Sequence, residues 1–143
     1  MIFGYTRESP GGSSQKEKFE KQKELLKKEG AESLAIDRVS SGKKKKYDGF
    51  GKLLVRLRPG DVLIIPSIDR VSHSASDFEG LMTGLLNRGV AIRVLNFGTL
   101  DDSPEGRMMQ QAVRAFAEFE KAMVVERTQE RKSEARKDIT FRE

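Results

Sequence analysis

Short apolar runs and helical patterns alternate along most of the chain. β-Favouring apolar runs predict strands at Ile2–Tyr5, Ser33–Asp37, Asp61–Pro66 and Val90–Leu95. Between them, apolar residues at helical spacing predict helices at Ser13–Glu29, Phe50–Leu57 and Ser76–Arg88. This regular succession predicts an α/β fold, with a mostly parallel sheet of four to five strands and helices on both faces.

The C-terminal part of the chain predicts one long helix. Ser103, Pro104 and Glu105 form a helix start, with a capping hydroxyl, a proline at the first helical position and an acid in the first turn. An apolar seam at spacings of three and four follows, formed by Met109, Ala112, Phe116, Phe119 and Met123. After Val125 almost every residue is polar or charged, so the second half is expected to project into solvent, another subunit or a charged ligand. A solvated, frayed terminus is the alternative.

Composition and charge narrow the class of protein. The 143 residues are enough for one domain with a real core. No run approaches about 18 apolar residues and no basic region precedes an apolar run at the N-terminus, so we expect no membrane partner and a cytoplasmic location. Without cysteine, and with His73 as the single histidine, the sequence offers no disulfide, thiol nucleophile or metal cluster. The net charge of +5 is only a weak indication of a nucleic-acid partner.

Polar residues follow the ends of three predicted strands, where an open α/β sheet binds its ligands. The residues are Tyr5, Arg7 and Ser9 after the first strand, Asp37, Ser40 and Ser41 after the second, and Ser67, Asp69 and Arg70 after the third, with His73 a turn later. Arginine forks and a serine at one sheet edge suit an oxyanion with a hydroxyl nucleophile nearby. The alternative is structural: Ser9 caps the turn before Pro10, and Asp69 and Arg70 are an ordinary ion pair.

Two further stretches are candidate phosphate-binding sites. The Gly-rich segment at residues 10–14 lacks the spacing of a P-loop or a dinucleotide-binding loop. The lysine run at residues 43–46, before the second helix, is either a contact to a phosphate backbone or a solvated charge run.

An ordered series of motifs resembles the serine recombinases, the family of resolvases and invertases. The series runs through almost the whole chain, from IFGYTRES at residues 2–9 to EFEKAMVVER at residues 118–127. Between these two lie Gln22 on the first helix, Asp37 with SSG at residues 40–42, Gly60-Asp61-Val62, and IDRVS at residues 68–72.

The resemblance implies an activity and a role for each matching residue. Ser9 would attack a DNA phosphodiester to give a 5′-phosphoserine and a free 3′-hydroxyl, with no cofactor, metal or small-molecule substrate. Arg7 and Arg70 would hold the phosphate, and Asp69 would position Arg70 or shuttle a proton. The supporting catalytic residues would be Tyr5, Gln22, Asp37 and Ser40, and the DNA contacts would be Lys43, Lys44, Lys45, Lys46, His73, Lys121 and Arg127. The long helix would form a homodimer, and a homotetramer on double-stranded DNA.

Three positions depart from the family pattern. His73, Tyr47 and Lys121 stand where the family usually carries arginine, and neither lysine nor neutral histidine replaces a bidentate fork. The alternative function is therefore a weakly active or inactive relative that acts in oligomerisation or DNA binding. A third interpretation, a phosphate-binding regulator of flavodoxin-like shape, predicts thermal stabilisation by small phosphorylated ligands.

The resemblance also implies a domain plan. We expect a catalytic core at residues 1–102, an interface helix at 103–138, and at 139–143 the start of a linker to a DNA-binding region that is absent from this chain.

Overall fold

The computed structural model describes residues 1–38 and 48–142, with side chains as far as residue 134. The strands are β1 (Ile2–Arg7), β2 (Ser33–Asp37), β3 (Val62–Ile65), β4 (Ala91–Val94) and β5 (Gly98–Leu100). The helices are α1 (Ser13–Lys28), α2 (Asp48–Arg56), α3 (Ala75–Asn87) and α4 (Pro104–Arg142), with a 3₁₀ turn at Ile68–Arg70. Several residues singled out in the sequence lie outside the described residues: the predicted site residues Ser40 and Ser41, the predicted DNA contacts Lys43, Lys44, Lys45 and Lys46, and Tyr47, which departs from the family pattern.

The five strands form one sheet in the order β2-β1-β3-β4-β5. The first four are parallel and β5 runs antiparallel to β4, which confirms the predicted mostly parallel sheet. Strands β2, β1 and β3 lie side by side, and Arg7 at the end of β1 is in register with Asp37 at the end of β2. The strand ends that carry the predicted polar residues are therefore neighbours at one edge.

Helices cover both faces of the sheet, as predicted. Alternation along β1 sends Phe3 and Tyr5 into the core beneath α2 and α3, whereas Gly4 and Thr6 face α1. At Gly4 a Cβ would lie 2.9 Å from the Ala31 side chain, so α1 and the turn after it pack directly against the backbone of β1.

The long helix begins where the sequence placed it, and only part of the predicted apolar seam packs on the domain, with Met109 against the core. Ser103 caps it, accepting a hydrogen bond from the Gly106 amide at 2.9 Å. Val113 and Ala117 are buried against the body of the domain. Phe116 and Phe119 of the predicted seam remain 60% and 65% exposed because they lie one step around the helix from that buried face. The helix reaches at least Arg142.

Candidate active site

Ser9 and Arg70 meet at the carboxyl edge of the sheet. Ser9 lies two residues past β1 and is half-buried, and the 3₁₀ turn after β3 brings Arg70 beneath it. The Arg70 Nη1 donates to Ser9 Oγ at 2.6 Å and to the carbonyl oxygen of Arg7 at 2.9 Å. Arg70 is only 7% exposed, so its charge acts on the serine through little intervening solvent. A guanidinium bonded to a hydroxyl oxygen stabilises negative charge that develops there.

Asp69 holds the other side of the Arg70 guanidinium. Arg70 Nε donates to Asp69 Oδ1 at 3.3 Å and Nη2 donates to Oδ2 at 3.1 Å. The hydrogen bonds from Arg70 lower the pKa of Asp69 below its ordinary value, while partial burial opposes that shift. A carboxylate with a lowered pKa is a weak base, so the geometry favours positioning of Arg70 over proton transfer among the two roles expected for Asp69.

Tyr5 lies deeper than expected. The sequence placed it after the first strand, but β1 extends to Arg7, so Tyr5 is an internal strand residue with no exposed surface. Its hydroxyl donates to Asp37 Oδ2 at 2.7 Å, and its ring packs on Phe50 with centroids 4.7 Å apart. Tyr5 is thus linked to the sheet edge through Asp37.

Asp37 binds the first turn of α2. Its carboxylate accepts hydrogen bonds from the Gly49 amide at 2.6 Å and the Phe50 amide at 3.0 Å, both at the positive end of the helix dipole. A Cβ at Gly49 would lie 2.7 Å from the carbonyl oxygen of Ile36, so glycine is needed for this close approach. Asp37 therefore joins β1, β2 and α2 at one point.

Gln22 lies on the opposite face of the sheet from Tyr5. Thr6, which is fully buried, donates its hydroxyl hydrogen to Gln22 Oε1 at 2.6 Å. This bond fixes α1 against β1 just before Arg7. Alternation along β1 would have placed Thr6 on the α1 face, but no local pattern identified its partner.

The expected DNA contacts within the described residues are all exposed. His73 lies between the 3₁₀ turn and α3, and Lys121 and Arg127 lie on α4. Glu120, next to Lys121, accepts hydrogen bonds from the Ala75 amide at 2.9 Å and the Ser76 amide at 3.3 Å. The backbone hydrogen bonds, that from Ala75 first, lower the pKa of Glu120. Sequence reasoning missed this contact because about forty-five residues separate its partners.

The described residues were also compared with the requirements of a metal site and of a membrane-spanning helix. Within residues 1–38 and 48–142, no group of three or more His, Cys, Asp or Glu side chains is arranged to hold a metal ion. In the same part of the chain, no helix combines the length and the apolar character needed to cross a bilayer.

Comparison with known proteins identifies the family. The family model described as "Resolvase, N terminal domain" matches residues 2–138 of this chain. Transposon Tn3 resolvase from Escherichia coli is 30% identical over 142 residues, which are 98% of this chain and 75% of that protein. The DNA-invertase of Escherichia phage P1 is 32% identical over 128 residues, covering 90% of this chain and 66% of the invertase. The chain belongs to the resolvase family, as its motifs predicted.

Further relatives show how much of the family's length the chain covers. Serine recombinase PinR from Escherichia coli K12 is 41% identical over 81 residues, which are 56% of this chain and 41% of PinR. The chain thus spans well under two thirds of that relative. A crystal structure of a resolvase family site-specific recombinase from Streptococcus pneumoniae matches with a TM-score of 0.74 and 21% identity, covering 94% of this chain and 97% of that one. This likeness shows the fold.

Proposed function

We propose that this chain is the catalytic domain of a site-specific serine recombinase that cleaves and rejoins double-stranded DNA through Ser9. The observation that carries the proposal is the buried Arg70 guanidinium bonded to Ser9 Oγ. Relatives named serine recombinase, DNA-invertase and resolvase support it.

The proposed reaction is a transesterification at phosphorus. Ser9 Oγ forms a bond to the phosphorus, the bond from phosphorus to the 3′ oxygen breaks, and that oxygen ends as a 3′-hydroxyl with a proton replacing the one lost by Ser9. The product is a 5′-phosphoserine that keeps the energy of the broken ester, so a 3′-hydroxyl can reverse the step without ATP. Arg70 and Arg7 would stabilise the charge on the five-coordinate phosphorus.

The other residues would act around this pair. Asp69 would orient Arg70, and Tyr5, Gln22 and Asp37 would hold the strands that present Ser9 and Arg7. The exposed side chains of His73, Lys121 and Arg127 would contact DNA phosphates, since a basic chain with a net charge of +5 attracts a polyanion. The reaction would take place in the cytoplasm.

Helix α4 would form the interface between subunits. Beside it lies an apolar groove of about 470 Å³, to which the 3₁₀ turn and α3 also contribute. Phe116 and Phe119 line this groove and remain largely exposed. Because large apolar patches are uncommon on monomers, this face favours a homodimer, and the same helix would support a tetramer on DNA.

Covalent capture tests the proposal. The wild-type chain, Ser9→Ala and the control Ser14→Ala, an exposed serine in α1, are incubated with end-labelled, nicked duplexes of randomised sequence. When cleavage occurs close to the nick, the short fragment that carries the new 3′-hydroxyl dissociates. The strands then cannot be rejoined, and the covalent adduct accumulates. We expect a labelled adduct that resists denaturation with wild type and Ser14→Ala, and none with Ser9→Ala. An adduct that persists in Ser9→Ala would refute the assignment of the nucleophile. No adduct with any variant would favour the inactive, DNA-binding or oligomerising relative.

A further inference from the structure

Ser67 occupies a helix-capping position but does not use its hydroxyl as a cap. It precedes the 3₁₀ turn with extended backbone angles, φ −159° and ψ 162°, and its side chain accepts no backbone hydrogen bond. A serine here ordinarily accepts an amide hydrogen of the first turn. Instead, the Ser67 hydroxyl donates to Asp69 Oδ1 in a short hydrogen bond. The turn itself is closed by the backbone bond from the Arg70 amide to the Ser67 carbonyl at 3.2 Å.

The Asp69 carboxylate has a second partner besides Arg70. Its side chain is 68% exposed, and its bonds to Arg70 are to the adjacent residue in the chain. The two bonds from Arg70 set the plane of the carboxylate relative to the guanidinium, but an exposed ion pair adds little stability by itself. The Ser67 hydroxyl, which also donates to Oδ1, ties this pair to the start of the 3₁₀ turn. The Ser67 bond also contributes to the lowered pKa of Asp69, after that from Arg70.

The orientation of Asp69 affects the nucleophile Ser9 through Arg70. Arg70 turns its Nε and Nη2 toward Asp69 and its Nη1 toward Ser9, so the orientation of the carboxylate sets where Nη1 points. We propose that Ser67 is a positioning residue for the transesterification: it holds Asp69 so that Arg70 meets Ser9 and the phosphate. The inference rests on the proposed function of Ser9. Ser67 was seen in the sequence only as one of several polar residues at this edge.

Three variants separate positioning from folding. Ser67→Ala removes the hydroxyl, and Ser67→Thr keeps it at a backbone geometry that β-branched residues adopt readily. Ser72→Ala is the matched control, because it removes a serine hydroxyl of the same turn that donates to the Ile68 carbonyl, at 3.2 Å, and not to Asp69. With the randomised nicked duplexes, we expect the single-turnover rate of adduct formation to fall about tenfold in Ser67→Ala, with unchanged DNA affinity. Ser67→Thr and Ser72→Ala should stay near the wild-type rate.

A second readout does not depend on activity. The pKa of Asp69, followed through the ¹³C shift of its carboxyl carbon, should rise in Ser67→Ala and stay at the wild-type value in Ser67→Thr and Ser72→Ala. An Asp69 titration and an adduct rate in Ser67→Ala equal to those of Ser72→Ala would overturn the inference. If the wild type forms no adduct, the proposed function fails, while the Asp69 titration still decides whether Ser67 holds the carboxylate. If Ser67→Ala does not fold, the Asp69 pKa and the adduct rate are compared between Ser67→Thr and Ser67→Val. These two side chains have similar shapes, and only that of threonine carries the hydroxyl.

Discussion

Two glycines in the same helix should respond to alanine in opposite directions. Gly49 and Gly51 both lie in the first turns of α2. At Gly51 a Cβ meets nothing within 4 Å, so Gly51→Ala should stabilise the chain by about 0.5–1 kcal/mol through helix propensity. At Gly49 the same Cβ would lie 2.7 Å from the carbonyl oxygen of Ile36 and 2.8 Å from Asp37 Oδ1. The first of these is backbone and cannot rotate away.

The loss of stability in Gly49→Ala depends on which parts of the chain must move to make room for the added Cβ. Relieving the overlap displaces the start of α2 from β2 and lengthens the bonds from the Gly49 and Phe50 amides to Asp37, which are 2.6 Å and 3.0 Å long. Overpacking of this kind costs about 1–3 kcal/mol. The stabilities of the two variants should therefore differ by roughly 1.5–4 kcal/mol, with the gain in helix propensity counted only for Gly51→Ala.

Thermal unfolding followed by circular dichroism measures the difference. For a chain of this length, about 1 kcal/mol shifts the melting temperature by roughly 3–4 °C, so we expect Gly51→Ala to melt slightly higher and Gly49→Ala several degrees lower. Equal shifts in the same direction would show that the close contact between α2 and the end of β2 does not exist, and with it the role of Asp37 as their junction.

Three further predictions concern the interface helix and the site. If α4 forms the proposed dimer, Phe116→Asp should shift the chain from dimer to monomer in analytical ultracentrifugation, whereas Val55→Asp, at an 84% exposed site on α2, should not; an unchanged dimer in both would exclude this face. His73→Arg should raise the rate of adduct formation if a missing arginine fork limits cleavage, and an unchanged rate would count against that explanation. The lowered pKa of Glu120 means that its contribution to stability is present above the ordinary value of 4.5 and is lost as the pH falls through its folded-state pKa. The melting temperature of Glu120→Gln should thus fall less steeply on acidification than that of Glu118→Gln, and parallel curves would refute this.

The sequence predicted the parallel part of the sheet because each of its strands carries a short apolar run, and the central strands β1 and β3 are largely buried. The predicted sheet of four to five strands allowed for β5, but the sequence did not indicate which segment forms it. It has three residues, only Leu100 among them is fully buried, and a bond from the Phe97 amide to the Val94 carbonyl turns the chain tightly before it. Three residues are too few to show a two-residue period.

Side-chain partners were harder to predict than elements. The motifs brought Ser9, Arg70 and Asp69 to one edge, since the ends of parallel strands meet there. They did not show that the Tyr5 hydroxyl bonds Asp37 inside the domain. The predicted first strand ended at Tyr5, whereas β1 continues to Arg7, and this difference places Tyr5 in the core instead of at the sheet edge. Nor did they show that Glu120 binds the start of α3, since no local pattern marks a contact between distant segments.

The hydrogen bonds of Arg70 constrain how a phosphate enters the proposed site. An arginine has five N–H donors. In the chain without DNA, the Nε hydrogen and one Nη2 hydrogen are donated to Asp69. The two Nη1 hydrogens are donated to the Arg7 carbonyl oxygen and to Ser9 Oγ. Among the contacts within residues 1–38 and 48–142, one N–H of Arg70 remains for a phosphate, which is too few for the bidentate contact that guanidinium groups make with oxyanions. On the proposed function, the second contact to the phosphate therefore comes from an Nη1 hydrogen released by the Arg7 carbonyl or by Ser9, or from the Arg7 side chain. Each of these routes leaves the Asp69 bonds intact, so we expect Asp69 to hold Arg70 in the same way with and without DNA.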